Sequence, residues 1–205
     1  MLPVITISRQ YGSGGHEVGE RLAQELDLPF YDKALIALAA KKSGLSEEVF
    51  ADADEKATSS LLYSMVMGSY AFGARVPSVN EMPINDKLFI IQSDIIKKAA
   101  SEGPCVIIGR CADYILRDHP NCLNVFVHAD KPARIKRIVE KGYCEEKKAP
   151  DFVTKKDKQR ANYYNFYSNN RWDDLLNYDL TIDTSRFSID LAVKMLIDAA
   201  KMLDK

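Results

Sequence analysis

The chain has 205 residues, 46% of them hydrophobic and 28% charged, which is enough for one well-buried core and too apolar for a disordered chain. A formal net charge of −1 argues against the global positive field of a general nucleic-acid binder. No apolar run approaches the ~18 residues of a membrane span, and no basic segment with an apolar core opens the chain as a secretory leader would, so the expected compartment is the cytoplasm, with neither membrane nor nucleic acid among the partners.

Val4 to Ile7 is a short β-branched run that predicts a buried strand. Gly12, Ser13, Gly14 and Gly15 follow as a flexible turn, and Val18, Leu22 and Leu26 then fall at i, i+4 and i+8 on one stripe of a helix. Strand, glycine-rich turn and helix make a phosphate cradle when the turn bares backbone N–H groups at the helix N-terminus. The same pattern also joins strands to helices where no ligand binds. Laid against the phosphate-loop pattern G-x-x-x-x-G-K-[ST], Arg9 takes the first glycine position and Gly14 the second. Gly15 stands where the lysine belongs and His16 where the hydroxyl belongs. The cradle remains, while the two side chains that do chemistry in that pattern are gone.

Leu28 to Asp32 reads as a short extended piece, and Lys33 to Lys42 as a helix stopped by Ser43-Gly44. Ser46 with Glu47 and Glu48 looks like the capped start of another helix. Thr58 to Phe72, rich in Leu, Met and Tyr, is an adaptable apolar surface. It fits a core segment, a ligand cover or a homodimer contact through the Met-rich stretch 61–72. Gly73 to Pro83 reads as a connection.

Ile84 to Ala100 predicts a helix broken by Gly103-Pro104, and Cys105 to Ile108 a strand ending in Gly109-Arg110. Ala112 to Arg117 reads as a short helix and Asn121 to His128 as another strand. Asp130 with Pro132 behind it starts a helix carrying Arg134 and Arg137 one turn apart. Gly142 to Asp157 is dense in charge and reads as a solvated excursion. Lys156 to Asn177 reads as a polar, aromatic helix holding Arg160, Tyr163, Tyr164, Tyr167, Arg171 and Trp172. Tyr178 to Ile182 is the last predicted strand, and Ser188 caps a final helix with a clean apolar stripe. Cys105, Cys111, Cys122 and Cys144 show no C-x-x-C spacing and are expected to be reduced packing residues.

Strands alternating with helices predict a three-layer α/β/α fold around a parallel sheet of about five strands. Ligands of such sheets sit at the C-terminal strand ends. Gly12 to His16, Tyr31-Asp32, Gly109-Arg110 and Asp183-Thr184 all fall at such ends and should converge on one cleft.

A phosphate site asks a protein mainly for positioned hydrogen-bond donors and positive charge. Arginine forks suit phosphate oxygens, which makes Arg110, Arg134, Arg137 and Arg160 candidates, each also readable as an ordinary ion pair. Backbone N–H groups from Gly12 to Glu17 would hold the donor phosphates. Arg9 either folds back over them in the lysine's place or forms a salt bridge at the strand end. Magnesium prefers oxygen ligands, so Ser13 or Glu17 suits it better than His16, and the metal's ligands stay open. Tyr163, Tyr164, Tyr167 and Trp172 read as packing rather than base-stacking residues. Asp183-Thr184-Ser185 reads as an adenine contact or a strand-end turn.

The runs ITISRQYGSGGHEVGERLAQELDLPFYD, CVIIGRCADYIL, VFVHADKPARIKRI and YDLTIDTS together resemble the cytidylate kinase-like family, relatives of the nucleoside monophosphate kinases within the P-loop fold. The likeness spans nearly the whole chain, and S-R-x-Y-G-S-G-G followed by F-Y-D is its most specific part. It implies one domain over 1–205, with a core (1–30, 84–141 and 157–205), a monophosphate-binding segment at about 31–83 and a lid at about 142–156. It further implies ATP with Mg2+ as donor and a CMP-like nucleotide or related small molecule as acceptor. Arg110 matches the family's strand-end arginine near the acceptor phosphate. Arg134 and Arg137 match arginines at the lid's entrance, Asp157 and Arg160 match its exit, and Tyr31-Asp32 matches the place where the acceptor nucleoside is met. Cys111 stands where authentic cytidylate kinases carry an aspartate after G-R, with Asp113 two residues later. A nucleotide kinase is the leading expectation, and a non-catalytic nucleotide- or anion-binding regulatory protein is the alternative.

Overall fold

A computed structural model describes residues 2–32 and 84–203. The helices and connection expected within 33–83, and the homodimer contact expected at 61–72, lie outside the described residues.

Five strands form one all-parallel sheet in the order β2-β3-β1-β4-β5: β1 (Val4–Arg9), β2 (Phe30–Tyr31), β3 (Val106–Ile108), β4 (Cys122–His128) and β5 (Leu180–Asp183). The first strand lies at the centre, paired with β3 through Ile5–Val106 to Ile7–Ile108 and with β4 along its whole length. A strand covered on both faces needs apolar or satisfied side chains on both. Ile5 and Ile7 point into one fully buried layer, while Val4 and Thr6 serve the other, Thr6 by donating its hydroxyl to Asn124 Oδ1 at 2.7 Å.

Two helices, α1 (Gly15–Leu26) and α6 (Ile189–Met202), cover the Ile5/Ile7 face. The predicted stripe is the cause: Val18 and Leu22 are fully buried in that layer, and Val193 and Leu196 of α6 meet them. On the opposite face lie α2 (Ile84–Glu102), α3 (Ala112–Ile115) and part of α5 (Ala149–Ser168). The fourth helix, α4 (Lys131–Glu140), begins where expected, with Asp130 accepting the Ala133 N–H at 2.7 Å. The Ser188 cap of α6 likewise accepts the Leu191 N–H at 3.2 Å. A small third cluster of Ile138, Ala149 and Val153 ties α4 to the start of α5. All four cysteines are free thiols, three of them buried, in line with the packing role. No helix among the described residues is long and apolar enough to cross a membrane.

The largest departure from expectation is α5. It begins at Ala149 rather than about Lys156 and ends at Ser168 rather than Asn177, so residues 149–157 are helical and not a solvated excursion. Pro150 in its first turn favours that start. Ala149 and Val153 bury one narrow side while Asp151, Thr154 and Lys155 face water, so charge dominates the local composition without melting the helix. At the other end Asn169 takes a left-handed C-cap conformation (φ 57°), which leaves Arg171 and Trp172 beyond the helix. Short 3₁₀ turns occupy Glu146–Lys148 and Leu175–Asn177, and α3 stops two residues before the expected Arg117.

Gly19 sets the distance between α1 and the sheet. A Cβ built there would stand 2.4 Å from Ile108 Cδ1 and 3.1 Å from Ile7 Cδ1. Replacing Gly19 by valine is expected to force those side chains apart and lower stability by about 1–3 kcal/mol, read as a lower urea midpoint at unchanged slope.

Candidate functional site

The loop from Gln10 to Gly14 joins β1 to α1, with left-handed backbone at Gly12 (φ 78°) and Gly14 (φ 83°). A Cβ on Gly12 would meet Arg134 O at 2.8 Å, and one on Gly14 would meet Ile189 Cδ1 at 2.6 Å, so the loop is pressed from behind by α4 and α6. Five consecutive carbonyls are bound on that side. Arg160 Nη1 donates to Arg9 O at 2.9 Å, Ser13 Oγ to Gln10 O at 2.9 Å, Arg134 Nη1 to Tyr11 O at 3.2 Å and Arg137 Nη1 to Gly12 O at 2.7 Å. Thr184 Oγ1 donates to Ser13 O. Asp157 pairs with Arg134 and takes the Tyr11 N–H on its other oxygen at 2.7 Å.

The loop's own N–H groups are partly bound as well, Gln10 N–H to Val127 O at 3.0 Å and Ser13 N–H to Gln10 O at 3.3 Å, so the cleft is met mainly by the glycines and the start of α1. There the first turn of α1 contributes N–H groups that helix geometry leaves without carbonyl partners. This is the arrangement of an anion nest. The cleft has a volume of about 550 Å3. Its walls include the loop, His16, Glu17, Arg137, Lys141 and Arg160.

The predicted arginines therefore have distinct positions. Arg134 is buried under the loop and holds backbone and Asp157 together. Arg137 binds Gly12 O and reaches Thr184 O at 3.5 Å, with one side on the cleft. Arg160 lines the cleft with its guanidinium 5.3 Å from the Tyr11 ring centre. Ser13 is fully buried, donates to Gln10 O and accepts the Gly15 N–H at 3.3 Å, so its oxygen is engaged inside the loop. Glu17 remains at the cleft, paired with Lys141 Nζ at 2.7 Å. Lys141 is a residue that sequence reasoning missed. Its spacing from Arg134 and Arg137 places it on the same face of α4, and that was the available signal.

His16 Nε2 lies 3.3 Å from Asp32 Oδ2, and its ring meets Phe30 edge-on at 5.5 Å. The start of α1 and the end of β2 are thus joined through His16 and Asp32. Tyr31 instead packs towards the α2 side of the sheet, where burial raises its phenol pKa. Asp183, Thr184 and Ser185 form a strand-end turn, with Asp183 Oδ1 accepting from the Ser185 N–H at 2.9 Å while Thr184 docks on the loop.

A second, small cavity of about 40 Å3 opens where β1 and β3 end. Gly109, Arg110 and Cys111 follow one another there in the left-handed region, at φ 68°, 58° and 56°. For the two side-chain-bearing residues this costs about 1–3 kcal/mol each. It turns Arg110 back over the Tyr163 ring, 5.8 Å from its centre, at the cavity wall. Beneath the turn, Tyr164 donates to the buried Asp113 carboxyl at 2.6 Å. Burial pushes Asp113 up to about 6 despite that bond, and burial also pushes the Cys111 thiol well up. Tyr164 is buried, Tyr163 and Tyr167 pack against the core, and Trp172 meets Phe126 edge-on at 5.3 Å. These aromatics are packing residues, as expected, although Tyr163, Tyr164 and Trp172 also line the small cavity.

An all-parallel sheet with β1 at its centre and a glycine-rich loop at the β1–α1 junction defines the P-loop kinase fold of the nucleoside monophosphate kinase type. The chain belongs to the cytidylate kinase-like family, whose model matches residues 4–186. It is 29% identical over 90 residues to a cytidylate kinase of Methanosarcina barkeri (strain Fusaro / DSM 804), a stretch covering 43% of this chain and 49% of that protein. The match thus spans about half the length of that curated relative. A crystal structure of an uncharacterized protein from Eubacterium ventriosum ATCC 27560 superposes with a TM-score of 0.73 at 29% identity, covering 98% of this chain and 99% of that one. Shikimate kinase from Bacteroides thetaiotaomicron shares the fold, with a TM-score of 0.57 at 14% identity over 98% of this chain and 100% of that one.

Asp113 makes stability depend on pH. A carboxyl whose folded pKa of about 6 lies above the unfolded ~3.9 binds its proton more tightly in the native state. Its contribution is therefore favourable at low pH and is lost as pH rises from about 4 through about 6. Asp113→Asn is expected to flatten that slope and to stabilise the protein at pH 7.5 by about 1–3 kcal/mol, measured by urea unfolding at pH 5 and pH 7.5.

Proposed function

We propose that the protein is a nucleotide- or small-molecule kinase that passes the terminal phosphoryl group of ATP to a small acceptor. A pyrimidine monophosphate of the CMP type heads the acceptors to test. The observation that carries this reading is that the loop cleft and the small cavity at the Gly109–Cys111 turn share two walls, Arg9 and Arg160. A donor anion on the loop and an acceptor beside Arg110 would then meet across arginines. That is the charge distribution phosphoryl transfer needs.

The residues present fit a donor phosphate chain. Left-handed glycines whose Cβ positions are filled by neighbours leave backbone as the loop's inner surface, and α1 begins at that surface. Magnesium supplies neutralisation of the phosphate oxygens when bound. Among the described residues no cluster of three metal-ligating side chains exists, and Glu17, in the first turn of α1 at the cleft wall, is the proposed carboxylate for the ion. This matches magnesium's habit of keeping waters and binding through one or two carboxylates plus substrate phosphates. Lys141, now on Glu17, can turn to a phosphate when the metal takes that carboxylate. Arg134, Arg137 and Asp157 act as positioning residues through the loop backbone. Arg110 and Arg160 are the proposed contacts to the reacting groups.

In a coupled assay with Mg·ATP, the protein is expected to phosphorylate at least one member of a panel of CMP, dCMP, UMP, nucleosides and small alcohols. Arg110→Ala and Arg160→Ala should each lower kcat by about 10²–10³-fold with unfolding midpoints close to wild type. Absence of transfer to every acceptor would overturn the kinase reading.

A further inference from the structure

We infer that Arg9 carries the loop's missing positive charge and that Gly15 is side-chain-free to admit it, the cation having moved from the first turn of α1 to the last residue of β1. This rests on the donor-site reading above. A Cβ on Gly15 would stand 2.6 Å from Arg9 Cβ and 3.1 Å from Arg9 Cγ, with Val127 Cβ at 3.0 Å on the other side. Space that a residue at position 15 would need for its stem is already filled by the stem of Arg9. At its far end Arg9 passes over Gly109, where a Cβ would lie 2.2 Å from Nη1 and 3.3 Å from Cζ. The side chain therefore runs along a channel left by two glycines, from the anion nest to the Gly109–Cys111 turn.

An arginine that served only as a strand-end ion pair would need no glycine at either end of its path. Here a side chain at position 15 or position 109 would displace it. Arg134 and Arg137 hold loop carbonyls from behind, and Lys141 pairs with Glu17 at the far side of the cleft. Arg9 lines both cavities, so its guanidinium stands beyond the loop on the acceptor side. There it meets the terminal phosphate of a bound triphosphate rather than the inner two. A lysine at 15 and an arginine at 9 also exclude each other twice, by volume and by like charge.

The test is an exchange. Binding of Mg·ATP and Mg·ADP is measured by calorimetry for the wild type, Arg9→Met, Gly15→Lys and the double variant Arg9→Gly/Gly15→Lys, with thermal unfolding of each. Arg9→Met keeps the stem and removes the charge. It is expected to weaken ATP binding about tenfold or more and ADP binding less than about threefold, a split that loss of structure alone would not produce. Gly15→Lys alone should lose ATP affinity and stability together, because its stem collides with Arg9. The double variant should recover ATP affinity to within about threefold of wild type. ATP binding undiminished in Arg9→Met, or a double variant no better than Gly15→Lys, would overturn the exchange. A wild type that binds neither nucleotide would overturn the donor site itself, and so would separate the two failures.

Discussion

The site depends on the outward binding of the Arg9 to Ser13 carbonyls. A five-residue loop has as many acceptors as donors, and an anion site needs only the donors. The protein resolves this by giving each carbonyl a partner from behind: three arginines, one serine and one threonine. Four of those partners come from α4, α5 and the turn after β5, and the fifth, Ser13, from the loop itself, so the loop's shape is fixed largely by elements far from it in sequence. A nest whose donors are already oriented spends little binding energy on ordering itself. The positive charge behind it also raises the potential in front of it. Three of the four arginines that look like a phosphate clamp in sequence hold the loop's backbone.

Strain is placed at the opposite wall. Arg110 and Cys111 hold left-handed conformations that side-chain-bearing residues avoid. The conformations persist because β3 is buried on both faces and because the Asp113–Tyr164 bond anchors the residues that follow. The two walls are therefore built differently. The loop is relaxed, with its carbonyls satisfied, whereas the turn is strained and rests on a buried carboxyl whose pKa lies at about 6.

Much of the fold was legible because its signals are local. The alternation of β-branched runs with helical stripes named the parallel sheet, and Asp130 and Ser188 marked helix starts through their own cap geometry. The bounds of α5 were not legible, because its apolar face is one residue wide and charges fill the rest. Ala149, Val153, Asp157, Arg160 and Tyr164, spaced by three or four, trace that face only once polar members are allowed in it. The site was legible as a set of strand ends and illegible in its division of labour. Nothing in the spacing of Arg134 tells whether its fork meets a phosphate or a carbonyl. Lys141 was hidden by distance: its partner Glu17 lies 124 residues away. The Arg9–Gly15 relation was hidden too, since a missing side chain carries no sign of what fills its place.

One face of α5 presents Asp157 to the loop backbone, Arg160 to the end of the central strand and Tyr164 to the carboxyl beneath the strained turn. These residues are a turn apart on one stiff rod, so none can shift alone. A small tilt of that rod would be felt at both walls together. Were ligands at the two walls to favour different tilts of that rod, each would change the other's affinity by the same factor, as thermodynamic reciprocity requires.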